Sequence, residues 1–274
     1  MSGPTVCLGF DFDAVSIWIH AYDAADSPTT LSRGEYGAEV AVPRLLDCLD
    51  RLGVPATFFT PGHTVDSFPE RVKEVHERGH DVQHHGWSHR HPGSFESRAA
   101  ERADVVRGIE SIEDAIGETP TGYRSPAWDF SAHTLDVLRE LGFEWDSSQM
   151  GHDFRPYYLR TGREAPTDGA YDPGIETEIL ELPVSWHRDD WPALQYVPDA
   201  SGRTAPDEPG VFDAWREQFE WMCERVDDGV FSLTFHPQVV GQPPRLRYLE
   251  SLVAELRATP SVEFETFDRV AARF

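Results

Sequence analysis

The stretch Val6-Cys7-Leu8-Gly9-Phe10-Asp11-Phe12-Asp13-Ala14 joins a short apolar run to two carboxylates two positions apart. An apolar run of this length predicts a strand buried on both faces, the kind that parallel sheets contain. In an extended strand, side chains two apart point to the same face, so Asp11 and Asp13 are expected to lie together. Neighbouring carboxylates repel each other unless a cation or a shared proton relieves them, which suggests a metal ligand beside a general base. A pair that only caps the next turn is the alternative.

The rest of the chain alternates short apolar runs with longer segments of helical periodicity. After the strand at residues 6–10, strands are predicted at 56–60, 81–84, 122–124, 143–146, 179–183, 230–235 and 262–264. Helices are predicted at 43–52, 69–78, 97–116, 132–141, 211–226 and 245–257. This alternation predicts an α/β fold with parallel strands, and we expect a single domain over residues 1–274, although the length also allows two smaller domains. Segments 14–42 and 147–178 are rich in Asp, Gly and Pro and are predicted as long loops that cover a site.

The densest histidine cluster, His84-His85-Gly86-Trp87-Ser88-His89-Arg90-His91, follows the third predicted strand. A spacing of four brings His85 and His89 together on one helical turn or tight loop. With Asp13 they form a set of two histidines and one carboxylate, which leaves coordination positions open for water and substrate. Because position 86 is Gly, the zinc-protease motif His-Glu-x-x-His is absent. A polar surface loop is the alternative reading of the cluster.

Charged residues also follow three of the later strands. Arg124, in Tyr123-Arg124-Ser125-Pro126-Ala127-Trp128, can pair with a catalytic carboxylate, or is an ordinary surface arginine. The segment Trp186-His187-Arg188-Asp189-Asp190-Trp191 places two acids between tryptophans, as in a substrate wall or an amphipathic loop. His236 ends a buried strand in the same layer as the other motifs, which makes it a candidate general acid.

The composition restricts the classes of partner. The chain has 48 acidic residues against 24 basic ones, a net charge of -24, and Lys73 is its only lysine. Such a surface repels nucleic acid and anionic membranes, and no run approaches the roughly 18 apolar residues of a membrane helix. An aromatic content of 12% predicts a folded chain in spite of the charge. The N-terminus runs directly into a strand without a signal peptide, so we expect a cytoplasmic protein, one adapted to high salt.

Taken in chain order, these motifs resemble the polysaccharide deacetylase superfamily, the NodB homology domain of carbohydrate esterase family four, over about residues 5–270. The motifs that carry the resemblance are Phe10-Asp11-Phe12-Asp13, His85-Gly86-Trp87-Ser88-His89, Arg124-Ser125-Pro126-Ala127-Trp128, an acid at Asp190 or Asp146, and Leu233-Thr234-Phe235-His236. The resemblance implies a distorted (β/α) barrel of seven or eight parallel strands with a metal site at its carboxyl end. Phe12 separates two acids that are adjacent in secreted deacetylases. That spacing looks like an intracellular branch with peptidoglycan deacetylase-like proteins and cyclic imide hydrolases.

The resemblance also implies a role for each motif residue. Asp11 becomes the base, and Arg124 orients it. Asp13, His85 and His89 become the ligands of a divalent metal, for which zinc is the usual expectation. His236 becomes the acid, oriented by Asp190 in preference to Asp146. Four tryptophans that lie in or beside the motif loops are expected to line an aromatic substrate pocket: Trp87, Trp128, Trp186 and Trp191.

Three functions remain open at this stage. The first is removal of an N-acetyl group from an amino sugar or glycan. The second is opening of a small cyclic imide or ureide, which needs the same activated water in a closed pocket. The third is binding of sugar or metal without turnover, against which the presence of Asp11, Arg124 and His236 argues. The expected partner is therefore a small molecule or a glycan, and the oligomeric state stays open, a homo-oligomer included.

Overall fold

Strand β1 (Thr5–Asp11) is an interior strand of the sheet, and all seven of its residues are buried. The structure is a computed structural model that describes residues 3–196 and 207–274. β1 pairs in parallel with β2 (Thr57–Thr60) on one side and with β8 (Val230–Phe235) on the other. Phe10 stacks on Phe58 of β2 and on Phe235 of β8, with ring centroids 5.0 and 5.5 Å apart. This aromatic contact explains why the opening stretch is apolar up to its two acids.

One curled sheet contains all the strands that the structure describes, in the order β6-β7-β5-β4-β3-β2-β1-β8, with β9 also paired to β1. The remaining strands are β3 (Asp81–His84), β4 (Gly122–Tyr123), β5 (Trp145–Asp146), β6 (Tyr157–Thr161), β7 (Ile175–Glu181) and β9 (Glu263–Phe264). Every pair is parallel except β6 with β7. A single parallel bridge between Asp189 and Thr234 links the segment after β7 to β8. The sheet is thus an incomplete, mostly parallel barrel, and the predicted α/β fold with seven or eight parallel strands is confirmed.

Helices cover the sheet, and each predicted helix is present with its ends within about three residues of the expected positions. They are α1 (Ser16–His20), α2 (Pro28–Tyr36), α3 (Val42–Leu52), α4 (Gly62–Ser67), α5 (Pro69–Glu77), α6 (Arg98–Ile116), α7 (Thr134–Leu141), α8 (Asp190–Leu194), α9 (Glu208–Arg225), α10 (Pro237–Val240), α11 (Pro243–Arg257) and α12 (Phe267–Ala271). Within residues 3–196 and 207–274, none of them combines the length and the apolar character that a membrane span requires. The assignment of residues 1–274 to one domain stays a prediction.

The prediction that two segments are long loops was wrong, because both contain regular structure. Residues 14–42 form α1, α2 and a π-helical turn at Gly37–Ala41 that continues into α3. The glycines there serve close packing: a Cβ atom on Gly34 would lie 2.5 Å from the backbone oxygen of Ala14. Residues 147–178 contain β6 and the first part of β7. Glycines that permit close helix packing and glycines in a loop enrich a segment to the same extent. Composition therefore did not separate these segments from loops, which is why the prediction was wrong.

Candidate metal and hydrolytic site

Asp13, His85 and His89 form a buried cluster beyond the carboxyl ends of β1 and β3. The Nε2 atoms of His85 and His89 lie 3.6 and 3.4 Å from Oδ1 of Asp13. One ligand atom from each residue lies within 4.8 Å of the others. The structure therefore brings together all three residues predicted as metal ligands.

The hydrogen bonding of this cluster fits a cation. Both oxygens of Asp13 are buried and have no hydrogen-bond partner among the described residues, and burial raises the pKa of this carboxyl well above its usual range. Nδ1 of His85 lies 2.7 Å from the backbone oxygen of Arg124, so this nitrogen carries the proton and Nε2 offers its lone pair. Burial lowers the pKa of His85 to about 4 and holds that of His89 well below its usual value, which keeps both rings neutral. A divalent ion would relieve the carboxylate and use both free nitrogens.

The loop that carries the histidines is held by a residue outside every predicted motif. Gly86 and His89 have φ values of 70° and 56°, a left-handed conformation that is costly for histidine. The Asp104 carboxylate on α6 accepts hydrogen bonds from the backbone N–H groups of Trp87, at 2.8 Å, and Ser88, at 3.2 Å. Asp104 therefore stabilises the turn that aims His89 at Asp13. No sequence signal distinguishes it from the other acids on this helix.

Asp11, in contrast to Asp13, is paired with a positively charged side chain. Nη1 of Arg124 donates to Oδ1 of Asp11 at 2.7 Å, and the two side chains are almost completely buried. Burial alone would raise the pKa of Asp11, but the charge and hydrogen bond of Arg124, together with the charges of His85 and His236, hold that pKa below its usual value. Nε and Nη2 of Arg124 donate to the backbone oxygen and Oγ of Ser147 at 3.0 and 2.9 Å. Asp11 is consequently an ionised carboxylate in a fixed position, the state that a general base requires.

His236 completes the group. Its Nε2 lies 4.0 Å from Oδ2 of Asp11 and 3.8 Å from Oδ2 of Asp13. Its Nδ1 lies 2.8 Å from Oδ1 of Asp190, which also accepts the backbone N–H of His236. Burial alone would lower the pKa of His236, but the hydrogen bond with Asp190 and the charges of Asp189, Asp190 and Asp13 raise it to about 10. The ring is thus a positively charged donor, as a general acid must be.

Of the two acids considered as partners of His236, only Asp190 contacts it. Asp146 lies on β5 and pairs with Glu181 of β7. Asp189, which sequence reasoning did not single out, lies 3.6 Å from Nδ1 of His236 and caps α8 through the backbone N–H of Trp191. The position of Asp189 next to Asp190 was visible in the sequence, but its orientation toward the histidine was not.

Three of the four tryptophans predicted as substrate contacts lie around this group. Trp128 and Trp186 stack with ring centroids 4.3 Å apart, and Trp186 is 43% exposed. Trp191 packs on His236 with centroids 4.8 Å apart. Ala127 and Trp128 both have positive φ values, 55° and 52°, so the backbone is strained where Trp128 meets Trp186.

Trp87 is held differently from the other three tryptophans. Its indole N–H donates to Asp66 at 2.9 Å. The guanidinium of Arg107 lies 3.2 Å from the ring centroid, and His63 packs against the ring edge-on. These contacts fix Trp87 as part of the support of the loop that carries His85 and His89. Substrate contact by any of the four tryptophans stays a prediction.

An incomplete parallel barrel with an ionised carboxylate, a two-histidine, one-carboxylate cluster and an Asp-His pair beyond its strand ends is the arrangement of a NodB-type domain. The chain belongs to the polysaccharide deacetylase family. The family model described as polysaccharide deacetylase matches residues 29–145. Across 98% of this chain and 95% of its own length, a peptidoglycan deacetylase from Helicobacter pylori is 35% identical.

Two solved structures extend the comparison. A protein from Mycobacterium smegmatis that is assigned to the polysaccharide deacetylases is 36% identical, with a TM-score of 0.87 over 99% of this chain and 90% of its own. An allantoinase superposes with a TM-score of 0.80 over 99% of this chain and 90% of its own, at 17% identity. The second likeness concerns the fold alone.

Proposed function

We propose that this chain is a metal-dependent hydrolase that removes acetyl groups from the N-acetylated amino sugars of a glycan. The observation that carries the proposal is the pair of orphaned oxygens on Asp13, which face two neutral imidazoles beside an ionised Asp11. Membership of the polysaccharide deacetylase family and the similarity to a peptidoglycan deacetylase support the choice of substrate class. The expected ion is zinc, which binds imidazole and carboxylate in sites that leave a position open.

The residues of the chain divide the chemistry between them. A divalent ion held by Asp13, His85 and His89 would polarise the amide oxygen and lower the pKa of a bound water to roughly 7. Asp11 removes one proton as the water oxygen forms a bond to the acetyl carbon, and Arg124 keeps this carboxylate ionised and in place. His236 donates its proton to the sugar nitrogen as the carbon–nitrogen bond breaks, so acetate and a free amine are the products.

The tryptophans support a ring-shaped substrate. Trp186 is 43% exposed while it stacks on Trp128, so this aromatic pair is partly accessible to a ligand. Aromatic faces pack well against sugar rings, which have an apolar side. A net charge of -24 disfavours nucleic acid and anionic membrane surfaces as partners.

A second candidate is hydrolysis of a small cyclic imide or ureide. It is favoured by the depth of the metal cluster, since Asp13, His85 and His89 are 0%, 1% and 5% exposed. A deep cluster suits a compact ring better than a long polymer. The same base and acid would open an imide ring, because that reaction also breaks a carbonyl carbon–nitrogen bond.

One assay separates these candidates from each other and from a protein that binds without turnover. Purified protein is incubated with N-acetylglucosamine oligomers or peptidoglycan fragments, and acetate release is measured. Parallel samples contain succinimide or dihydrouracil, and ring opening is measured. Acetate release that chelator abolishes and added zinc restores is the expected result, with Asp13→Ala as the inactive control. Ring opening without acetate release would select the imide hydrolase, and neither activity would contradict both.

The acidic surface supports a further proposal, that the protein works in a high-salt cytoplasm. Screening at high salt removes most of the mutual repulsion of a chain with a net charge of -24. We expect the melting temperature to rise from dilute buffer to molar salt. Equal stability in both would contradict the adaptation.

A further inference from the structure

A second carboxyl pair lies behind the site, on the last residues of two neighbouring strands. Asp146 ends β5, Glu181 ends β7, and the two are direct partners in the parallel register. Both are 0% exposed. Oδ2 of Asp146 and Oε2 of Glu181 are buried atoms to which no group in residues 3–196 or 207–274 donates a hydrogen bond. Two buried carboxylates at adjacent positions repel each other if both are ionised, and the nearby cation, Arg124, is already paired with Asp11.

The other two carboxylate oxygens of the pair both accept hydrogen bonds. Oδ1 of Asp146 accepts the hydroxyl of Ser148 at 2.8 Å. Oε1 of Glu181 accepts the backbone N–H groups of Ser148 and Gln149 at 3.0 and 2.9 Å. One proton placed between Oδ2 and Oε2 satisfies both remaining atoms. The pair then holds the segment 147–149 from two sides while it carries one negative charge.

That segment supports the arginine of the active site. The backbone oxygen and Oγ of Ser147 accept two hydrogen bonds from Arg124, whose third side-chain contact is Asp11. Oγ of Ser148 also accepts the backbone N–H of Ser125, which follows Arg124 in the chain. A continuous set of hydrogen bonds therefore runs from the carboxyl pair to the proposed base.

We propose that Asp146 and Glu181 share one proton and act as a positioning pair, which fixes the segment 147–149 and through it Arg124 and Asp11. The link to Asp11 as a base rests on the proposed hydrolase function. The shared proton is independent of that function. Glu181 lies outside the sequence motifs, and Asp146 is the acid that does not contact His236. Within residues 3–196 and 207–274, the hydrogen bonds of the pair go to Ser148 and Gln149 and not to Asp13, His85 or His89.

The surroundings of the pair agree with this protonation. Burial, with the neighbouring Asp146 charge, raises the pKa of Glu181 well above its usual range, and burial raises that of Asp146 to about 6. The charged or titratable groups that face the pair are Arg124, Tyr123 and Tyr157. Burial raises the pKa of both tyrosines, so they stay neutral and Arg124 is the one cation near the pair among the described residues.

The pair predicts a specific dependence on pH. A carboxyl group whose pKa is raised on folding binds more protons in the native state than in the unfolded one. The stability that it contributes is therefore complete at low pH and is lost as the pH rises above the ordinary carboxyl range. Above the pKa of the shared proton, two charges repel each other and the segment under Arg124 shifts. Activity should then decline at alkaline pH together with stability.

Two substitutions of Glu181 test the proposal. In Glu181→Gln, the amide N–H₂ donates permanently to Asp146 and the amide oxygen still accepts from Ser148 and Gln149. In Glu181→Leu, no donor and no acceptor remain. We expect Glu181→Leu to lower kcat about tenfold or more with little change in KM, and Glu181→Gln to restore most of kcat and to lose less of it at alkaline pH than the wild type does. Glu101→Gln is the matched control, since this buried glutamate accepts from Ser131 and Thr134 away from Arg124.

Unfolding measurements separate this proposal from the proposed function. The free energy of unfolding is measured by denaturant at several values between about pH 5 and pH 9. If the pair shares a proton, the free energy of unfolding of Glu181→Gln increases relative to that of the wild type as the pH rises. This result does not depend on whether the protein releases acetate. Parallel curves for the two proteins would overturn the shared proton. If the curves diverge but the pH profile of kcat is the same in both proteins, the positioning role is overturned.

Discussion

Replacing Arg124 by leucine tests the electrostatic design of the site, because this side chain is completely buried and neutralises a carboxylate that is 2% exposed. Its removal leaves the Asp11 charge without a cation within hydrogen-bond distance and leaves Ser147 without two donors. Breaking a buried ion pair on one side costs about 3–5 kcal/mol. We therefore expect the free energy of unfolding to fall by that amount at neutral pH, and turnover to fall about a hundredfold or more because Asp11 takes up a proton.

The assay is guanidinium unfolding of the wild type, Arg124→Leu and the double variant Asp11→Asn/Arg124→Leu. The double variant should be more stable than Arg124→Leu alone, since asparagine at position 11 is neutral without having to take up a proton at neutral pH. Arg139→Leu is the control, because Arg139 pairs with Glu178 at the surface, where solvent screens the interaction. A loss in Arg124→Leu no larger than in Arg139→Leu, or a double variant less stable than the single one, would refute the reasoning.

Three further outcomes are expected. His236→Ala should retain metal, measured by elemental analysis, but lose turnover about a hundredfold or more; near-normal turnover would reject this residue as the acid. Chelator should lower the melting temperature of the wild type, since an ion at a hundred times its Kd adds about 2.7 kcal/mol; Asp13→Ala should not respond, and an equal response in both proteins would place the ion elsewhere. Burial raises the pKa of Asp81 to about 7, so its stabilising contribution is lost as the pH rises from about 4 through 7, and Asp81→Asn should be more stable than the wild type at pH 8 but not at pH 4. Identical pH dependence of unfolding in both proteins would contradict that assignment.

The fold was predictable where burial leaves a strong pattern. The strand at 230–235 was predicted with its observed bounds because its apolar run ends at His236-Pro237 and begins after Gly229. Strand β6 (Tyr157–Thr161) was missed because it pairs antiparallel at the edge of the sheet and only Leu159 in it is buried. A search for continuous apolar runs finds strands with two covered faces and passes over a strand that is open to solvent.

The site was predictable to the extent that its residues follow strand ends. Asp13, His85, Arg124 and His236 come from four different strands, and the carboxyl ends of parallel strands meet at one edge. The residues that hold them in place were not predictable. Asp104 acts from the middle of a helix and Glu181 from a strand without a motif, and each is connected to the site only by contacts that form when the chain folds.

The opening pair of acids shows why sequence and structure contribute different parts of the answer. Alternation along a strand predicted that Asp11 and Asp13 face one side. In fact β1 ends at Asp11, Asp13 lies in the following turn, and Phe12 is buried in the core between them. The two acids still approach the same ring nitrogen of His236, within 4.0 and 3.8 Å. Their chemistry differs because Asp11 is paired with a buried guanidinium and Asp13 is not. The spacing thus places two carboxylates at one site, while only the tertiary contacts make one of them a base and leave the other in need of a cation.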